Sequence, residues 1–174
     1  RQEVIRRFYS KLCETRKGLA TEEEVDKLRL LMQQLNLTDD DRPVLAAARK
    51  RADQTGAPAA AIQLPDGTVV TSKTSSLLGA SAALILNALK KLAGIPKPDK
   101  LIPPEVIGPV QDLKCQYLGN RNPRLHSDEI LVALSITAAT SPSAALAMAQ
   151  LPMLKGCEVH TTVILSQADE NIFR

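Results

Sequence analysis

The chain has 174 residues, 44% of them hydrophobic, enough for one compact domain or a domain with an appendage. Its aromatics are Phe8, Tyr9, Tyr117 and Phe173 alone, so the core has to be aliphatic, and no base-stacking platform for single-stranded nucleic acid is expected. A net charge of +3 is too weak to imply DNA, and no apolar run reaches the ~18 residues of a membrane span, so neither nucleic acid nor membrane is expected as a partner.

Residues 1–57 read as helical. Val4, Ile5, Phe8 and Leu12 recur at helical spacing, and Gly18 is a natural stop. Thr21 and Glu24 have the spacing of a capping box, and Val25, Leu28, Leu31, Met32 and Leu35 follow as one stripe. Asp39–Asp41 is expected to cap a third helix. Pro43 falls in its first turn, where a missing N–H costs nothing.

From Pro58 the pattern changes. A strand over Ala59–Leu64, a turn at Pro65-Asp66-Gly67 and a strand over Thr68–Lys73 form a hairpin signal, because Gly supplies the positive φ that the turn needs. A long helix over Ser76–Ala93, capped by Ser75 or Ser76, carries apolar residues nearly all round. Such a helix is buried between a sheet and another layer. Ile95–Pro104 reads as a loop, Val106–Leu113 as a strand interrupted at Gly108-Pro109, and Gly119–His126 as a polar loop. Ser127 opens a helix to Ala139. Ser141 and Pro142 start another that runs to Lys155, with Pro152 disturbing its last turn. Cys157–Leu165 is a β-forming run, and Ser166 with Asp169 caps a last helix.

The expected class is therefore α/β: a helical subdomain over 1–57, then a three-layer α/β/α sandwich over 58–174 with a mixed sheet covered on both faces. The chain starts and stops inside helices and lacks an initiator Met, as expected of a segment of a longer polypeptide. Cys13, Cys115 and Cys157 are odd in number and widely spaced, which is not a disulfide framework; a reducing, cytoplasmic location is the default.

Two segments carry candidate ligand chemistry. Lys73, Thr74, Ser75 and Ser76 precede the expected helix start, where hydroxyls, an ammonium and free N–H groups suit a phosphate or carboxylate. The glycine spacing of a phosphate-binding loop is absent, and an edge strand followed by an N-cap explains the same residues. In the loop Gly119–His126, Arg121, Asn122 and Arg124 suit bidentate anion contacts, and His126 is the one catalytic candidate, since imidazole is the side chain most used for proton transfer. The bland alternative is that both Arg side chains pair with Asp128, Glu129 or a neighbouring chain. Alternation along the last strand places Cys157 and Val159 on one face and Glu158 and His160 on the other. Cys and His therefore diverge, and no metal site is assigned. No motif implies a cofactor.

The hairpin, the buried helix and the following β/α units resemble the cytidine deaminase-like architecture in layout. Zinc deaminases carry His-x-Glu at the helix start and Cys-x-x-Cys later. This chain has Ser75-Ser76-Leu77-Leu78 there and no Cys-x-x-Cys, so zinc-dependent deamination is not implied. A closer resemblance rests on Lys73–Ala82, on Leu118-Gly119-Asn120-Arg121-Asn122-Pro123-Arg124-Leu125-His126 and on Gly156–Ser166. These runs resemble an uncharacterised, mainly bacterial family known as domain of unknown function 1846, and the resemblance covers the whole chain. It implies the C-terminal half of a cytoplasmic protein of roughly 500 residues, a size that means several domains, whose N-terminal half carries a Gly-rich, phosphate-loop-like stretch. It transfers no catalytic residue.

Together these features point to the accessory half of a phospho-ligand or nucleotide-dependent enzyme. Its expected partners are the N-terminal half of the same polypeptide, a phosphorylated small molecule and further copies of itself. The alternative is a structural or oligomerisation module without chemistry; metal-dependent hydrolysis or deamination ranks last.

Overall fold

The computed structural model describes residues 1–174 and is mixed α/β, with eight α-helices and one three-stranded sheet. Helices α1 (Gln2–Arg16) and α2 (Glu22–Gln34) pack on each other. The Thr21 N–H donates to the Glu24 carboxylate at 3.1 Å, as the capping spacing predicts. Asp39–Asp41 forms a 3₁₀ turn instead of the cap itself, and Arg42 is the residue that precedes α3 (Pro43–Thr55).

Strands β1 (Ala59–Gln63) and β2 (Val69–Lys73) form the predicted hairpin, with Ala61 opposite Thr71. Gly67 sits at φ +90°, where a side chain would be strained. Strand β3 (Glu158–Thr161) pairs antiparallel with the other side of β1, giving the order β2-β1-β3. The sheet is thus wholly antiparallel. The β-forming run was expected to reach Leu165, but the strand ends at Thr161 because Thr162 turns its hydroxyl to the Ala59 N–H, at 2.9 Å.

Three consecutive alanines at the start of the central strand, Ala59, Ala60 and Ala61, are fully buried. Ala is a poor strand former, but a small side chain lets helices approach both faces closely. Ala61 packs with Val44 and Ala48 of α3. Ala60 and Ile62 pack against α4 (Ala80–Ala93) through Ala80, Leu84 and Ala88. The other side of α4 (Ala82, Ile85, Leu86, Leu89) forms the largest core cluster with Ile130, Ala133 and Leu134 of α6 (Ser127–Ala138) and Ala144 and Ala147 of α7 (Pro142–Met148). This accounts for a helix that is apolar nearly all round.

The strand expected over Val106–Leu113 is a helix instead, α5 (Pro104–Asp112), which runs on into a π-helical turn, Leu113–Tyr117. Pro103 caps it, and Pro104 occupies the first turn with its φ already helical. Val106, Ile107 and Val110 then lie on one helical face against the main core, so burial overrides their strand preference. Helix α7 stops at Met148, short of the expected Lys155. Pro152 lacks an N–H to continue it, and Leu151–Leu154 forms a 3₁₀ turn. Ser166 caps α8 (Gln167–Phe173) by accepting from the Asp169 N–H at 3.3 Å. No helix is long and apolar enough to cross a membrane.

Candidate anion-binding site

The two candidate segments lie far apart in sequence and meet in space. Leu125, fully buried, anchors the Gly119–His126 loop. Its N–H donates to the Leu77 carbonyl at 3.0 Å, and its carbonyl accepts from the Gly79 N–H at 3.3 Å. Arg124 Nε donates to the Ser75 carbonyl at 2.6 Å. Within the loop, Asn120 Oδ1 accepts from the Asn122 N–H and Asn122 Oδ1 from the Arg124 N–H, at 2.9 and 3.1 Å. These Asx turns hold an irregular backbone without a helix or strand.

One sequence expectation is corrected here. The helix after the hairpin begins at Ala80, with Gly79 as its N-cap, not at Ser76. Ser75 Oγ instead accepts from the Leu77 and Leu78 N–H groups at 3.3 and 3.1 Å, closing a local turn. Thr74, Ser75 and Ser76 therefore sit one turn away from the helix end, and the Gly79 N–H is already used by Leu125. The turn exists because Ser72 Oγ, buried in β2, donates to the Ala80 carbonyl at 2.6 Å and fixes where the helix can start.

Lys73, Arg121 and Arg124 are exposed, and none of them forms an ion pair. The Arg pairing with Asp128 or Glu129 named as the bland alternative does not occur within the chain.

Beside the loop is an open pocket of about 400 Å³ lined by Lys114, Leu118, Asn120, His126, Asp128 and Glu129, with Ala168. The π-helical turn, in which the Leu118 N–H reaches back to the Leu113 carbonyl at 3.0 Å, turns Lys114 inward. Lys114 Nζ is buried between the Arg124 carbonyl at 2.5 Å and Glu129 Oε1 at 2.9 Å. Glu129 also accepts from the His126 N–H at 2.9 Å. His126 Nδ1 lies 3.5 Å from Asp169 Oδ2, and that carboxylate is held by the Ser127 N–H at 2.8 Å and the Ser166 hydroxyl at 3.2 Å. A carboxylate on one ring nitrogen orients the imidazole and leaves the other nitrogen free to exchange a proton with a ligand. Lys114 and Asp169 escape a reading of the sequence. Lys114 looks like any surface lysine until the π-helical turn buries it.

A second polar cluster was also missed. Arg42, only 2% exposed, donates to Glu158 Oε2 from Nη2 at 2.7 Å and from Nε at 3.1 Å, and to the Val159 carbonyl at 2.9 Å. His160 Nδ1 is 3.5 Å from Arg42 Nη1, and its ring meets Tyr9 edge-on at 5.3 Å. The Tyr9 hydroxyl donates to Asp39 at 2.7 Å and accepts from Arg49 at 2.8 Å, and Arg49 also pairs with Asp39. Burial, then the Asp39 bond, pushes Tyr9 up to about 12. Cys157 and Val159 face the opposite, α4 side, as alternation predicts. No group of three or more His, Cys, Asp or Glu side chains converges to hold a metal ion.

Burial, then the charges of Arg42 and Arg49, hold His160 down to about 4 from an ordinary 6.5. Its neutral form is the folded form, so its stabilising contribution is full above pH 6.5 and is lost as pH falls toward 4, where the unfolded chain binds a proton that the folded chain refuses. In calorimetry, His160→Gln should lose less of its melting temperature than the parent on going from neutral pH into this window. Parallel pH profiles for the two proteins would contradict the assignment.

The model for Domain of unknown function DUF1846, C-terminal, matches residues 40–174. The chain belongs to this family. All 174 residues align at 53% identity with a UPF0371 protein of Streptococcus pyogenes serotype M5, and at 50% with one of Streptococcus thermophilus. In both cases the chain spans 35% of the relative's length. The DUF1846 match includes α3, which lies on the sheet, and the whole of the pocket. No reaction is stated in either description, so the functional reading rests on the geometry.

Proposed function

We propose that this DUF1846 domain binds the anionic part of a ligand, a phosphate or carboxylate, as the accessory part of a larger cytoplasmic phospho-ligand or nucleotide-dependent enzyme. In this reading Lys73, Thr74, Ser75 and Ser76 on one side and Arg121, Asn122 and Arg124 on the other hold the anion where the two segments meet, next to the pocket rather than in its lining. His126, oriented by Asp169, is the group placed to move a proton. The division into a helical subdomain over 1–57 and a three-layer α/β/α unit over 58–174 belongs to the same proposal.

One observation carries it. The Arg124–Ser75 bond ties the two segments together, while the Nη groups of Arg124 and the whole guanidinium of Arg121 meet no carboxylate. An Arg fork left unneutralised beside a pocket suits a bidentate anion.

The test is thermal stabilisation of the full-length protein by inorganic phosphate, pyrophosphate and nucleoside triphosphates. A ligand at a hundred times its Kd stabilises by about 2.7 kcal/mol. The double variant Arg121→Ala/Arg124→Ala should lose most of that gain, while its ligand-free melting point falls only by the small cost of the exposed Arg124–Ser75 bond. A gain that survives the double replacement, or no gain with any of these anions, would sink the proposal.

A structural role is favoured by a different observation: past the first turn of α6, where Asp128 is exposed, the outer sides of α6 and α7 carry no charge.

A further inference from the structure

From Ile130 to Leu154 no residue carries a charge, in a chain where charged residues make up 24%. Much of this stretch faces solvent. Helix α6 buries Ile130, Ala133, Leu134 and Thr137, and its opposite side presents Val132 and Ile136, 60% and 62% exposed. The two are one turn apart and share a face, at whose N-terminal end stands the exposed Asp128. Helix α7 buries Ala144 and Ala147 and leaves Leu146 60% exposed, and Met153 follows at 48%. The exposed positions between them are small, among them Ser135, Ala139 and Ala145.

Helices α1 and α2 differ in carrying charges on their outer sides, although α2 also exposes Leu30 and Leu31. Helix α1 carries Glu3 paired with Arg6 and Arg7, and α2 carries Glu23 with Lys27 and Asp26 with Arg29. A solvated face takes charges; the buried centre of an interface loses them and gains apolar side chains. Small residues around Val132, Ile136 and Leu146 would let another element approach the backbone closely.

We infer that this face of α6 and α7 is where the rest of the polypeptide found in full-length family members packs on this domain. The occupant follows from length. Relatives that align over every residue of the chain are nearly three times as long, since the chain covers only 35% of them. Permanent contacts of this kind are more apolar than transient ones. Helix α6 begins directly after His126, so a body seated on its outer face also borders the pocket. The inference is independent of the anion reading and survives its failure.

The experiment uses the full-length protein with a photoreactive benzophenone amino acid in place of Ile136, and separately in place of Leu146. Glu23, exposed on α2, serves as the control position. The expected product keeps the mass of a single chain and joins either site to a peptide outside the region homologous to residues 1–174. A product of doubled mass would assign the face to a second copy and overturn the inference, as would cross-linking no stronger than at the control. Hydroxyl-radical footprinting of the unsubstituted full-length protein removes any doubt about folding of the variants. Val132, Ile136 and Leu146 should lose their labelling relative to the urea-unfolded chain at every protein concentration. Labelling equal to that of the unfolded chain, or protection that disappears on dilution, would contradict it.

Discussion

Replacing Arg42 by alanine should destabilise the protein by about 3 kcal/mol, the low end of the cost of leaving one partner of a buried ion pair alone. For a chain of this size that is a fall of about 6–12 °C in melting temperature. Arg42 is nearly inaccessible, and its guanidinium satisfies Glu158 and the Val159 carbonyl together. Without it the Val159 carbonyl loses a donor, the carboxylate loses its counter-charge, and the aliphatic stem leaves a hole between α3 and β3. The low end applies because the Glu158 side chain is 30% exposed, so water partly replaces the lost partner. Two variants separate these terms. Glu158→Gln should cost less than Arg42→Ala, and Arg42→Met with Glu158→Leu should recover much of the loss, because no charge is left unpaired. An Arg42→Ala protein that melts with the parent would show that the pair contributes nothing to the junction of α3 with the sheet.

Replacing Lys114 by methionine is expected to cost a similar amount, about 3 kcal/mol, and to act on the site as well as on stability. The methionine can fill the channel of the lysine stem but cannot donate. The Arg124 carbonyl and Glu129 would both lose the buried ammonium. Glu129 keeps the His126 N–H, and its side chain is 23% exposed, so again the low end is the appropriate figure. The distinguishing readout is local. The Lys114 side chain ties the Arg124 end of the loop to the π-helical turn, so amide exchange at Asn122 and Arg124 should accelerate in Lys114→Met beyond what the global loss predicts. Any stabilisation by phosphate should fall with it, although Lys114 is already neutralised by Glu129 and makes no free charge available to a ligand. Unchanged loop exchange would mean that the loop is held by its other ties, Leu125, the two asparagines, the Arg124–Ser75 bond and the Asn120 N–H on the Lys114 backbone carbonyl.

How much was legible beforehand depends on how local the cause was. The hairpin was readable because Asp66-Gly67 demands its own turn geometry, the starts of α7 and α8 because Ser141 and Ser166 satisfy N–H groups three residues on, and that of α2 because Glu24 accepts from the Thr21 N–H. The meeting of the two candidate segments is not written in either of them: nothing there names Leu77 or Leu125 as partners. The strand expected over Val106–Leu113 failed because Val and Ile serve either state, and the deciding term was burial of Ile107 against the main core. The helix start slipped from Ser76 to Ala80 because two serines offered equally good local caps. Neither became the cap: Ser75 closes a local turn, Gly79 is the N-cap, and Ser72, on another element, fixes where the helix starts.

By itself, then, the sequence determined what short-range chemistry dictates: the mixed α/β class, the hairpin, most helix ends and the polar character of the Gly119–His126 loop. Which residues combine into polar clusters was decided only by the tertiary structure. Arg42 pairs with Glu158 and Lys114 with Glu129 because α3 is laid on the sheet and a π-helical turn points inward. A buried charge costs so much without its partner that its location is meaningful, yet the partner is supplied by packing, which no local pattern of residues records.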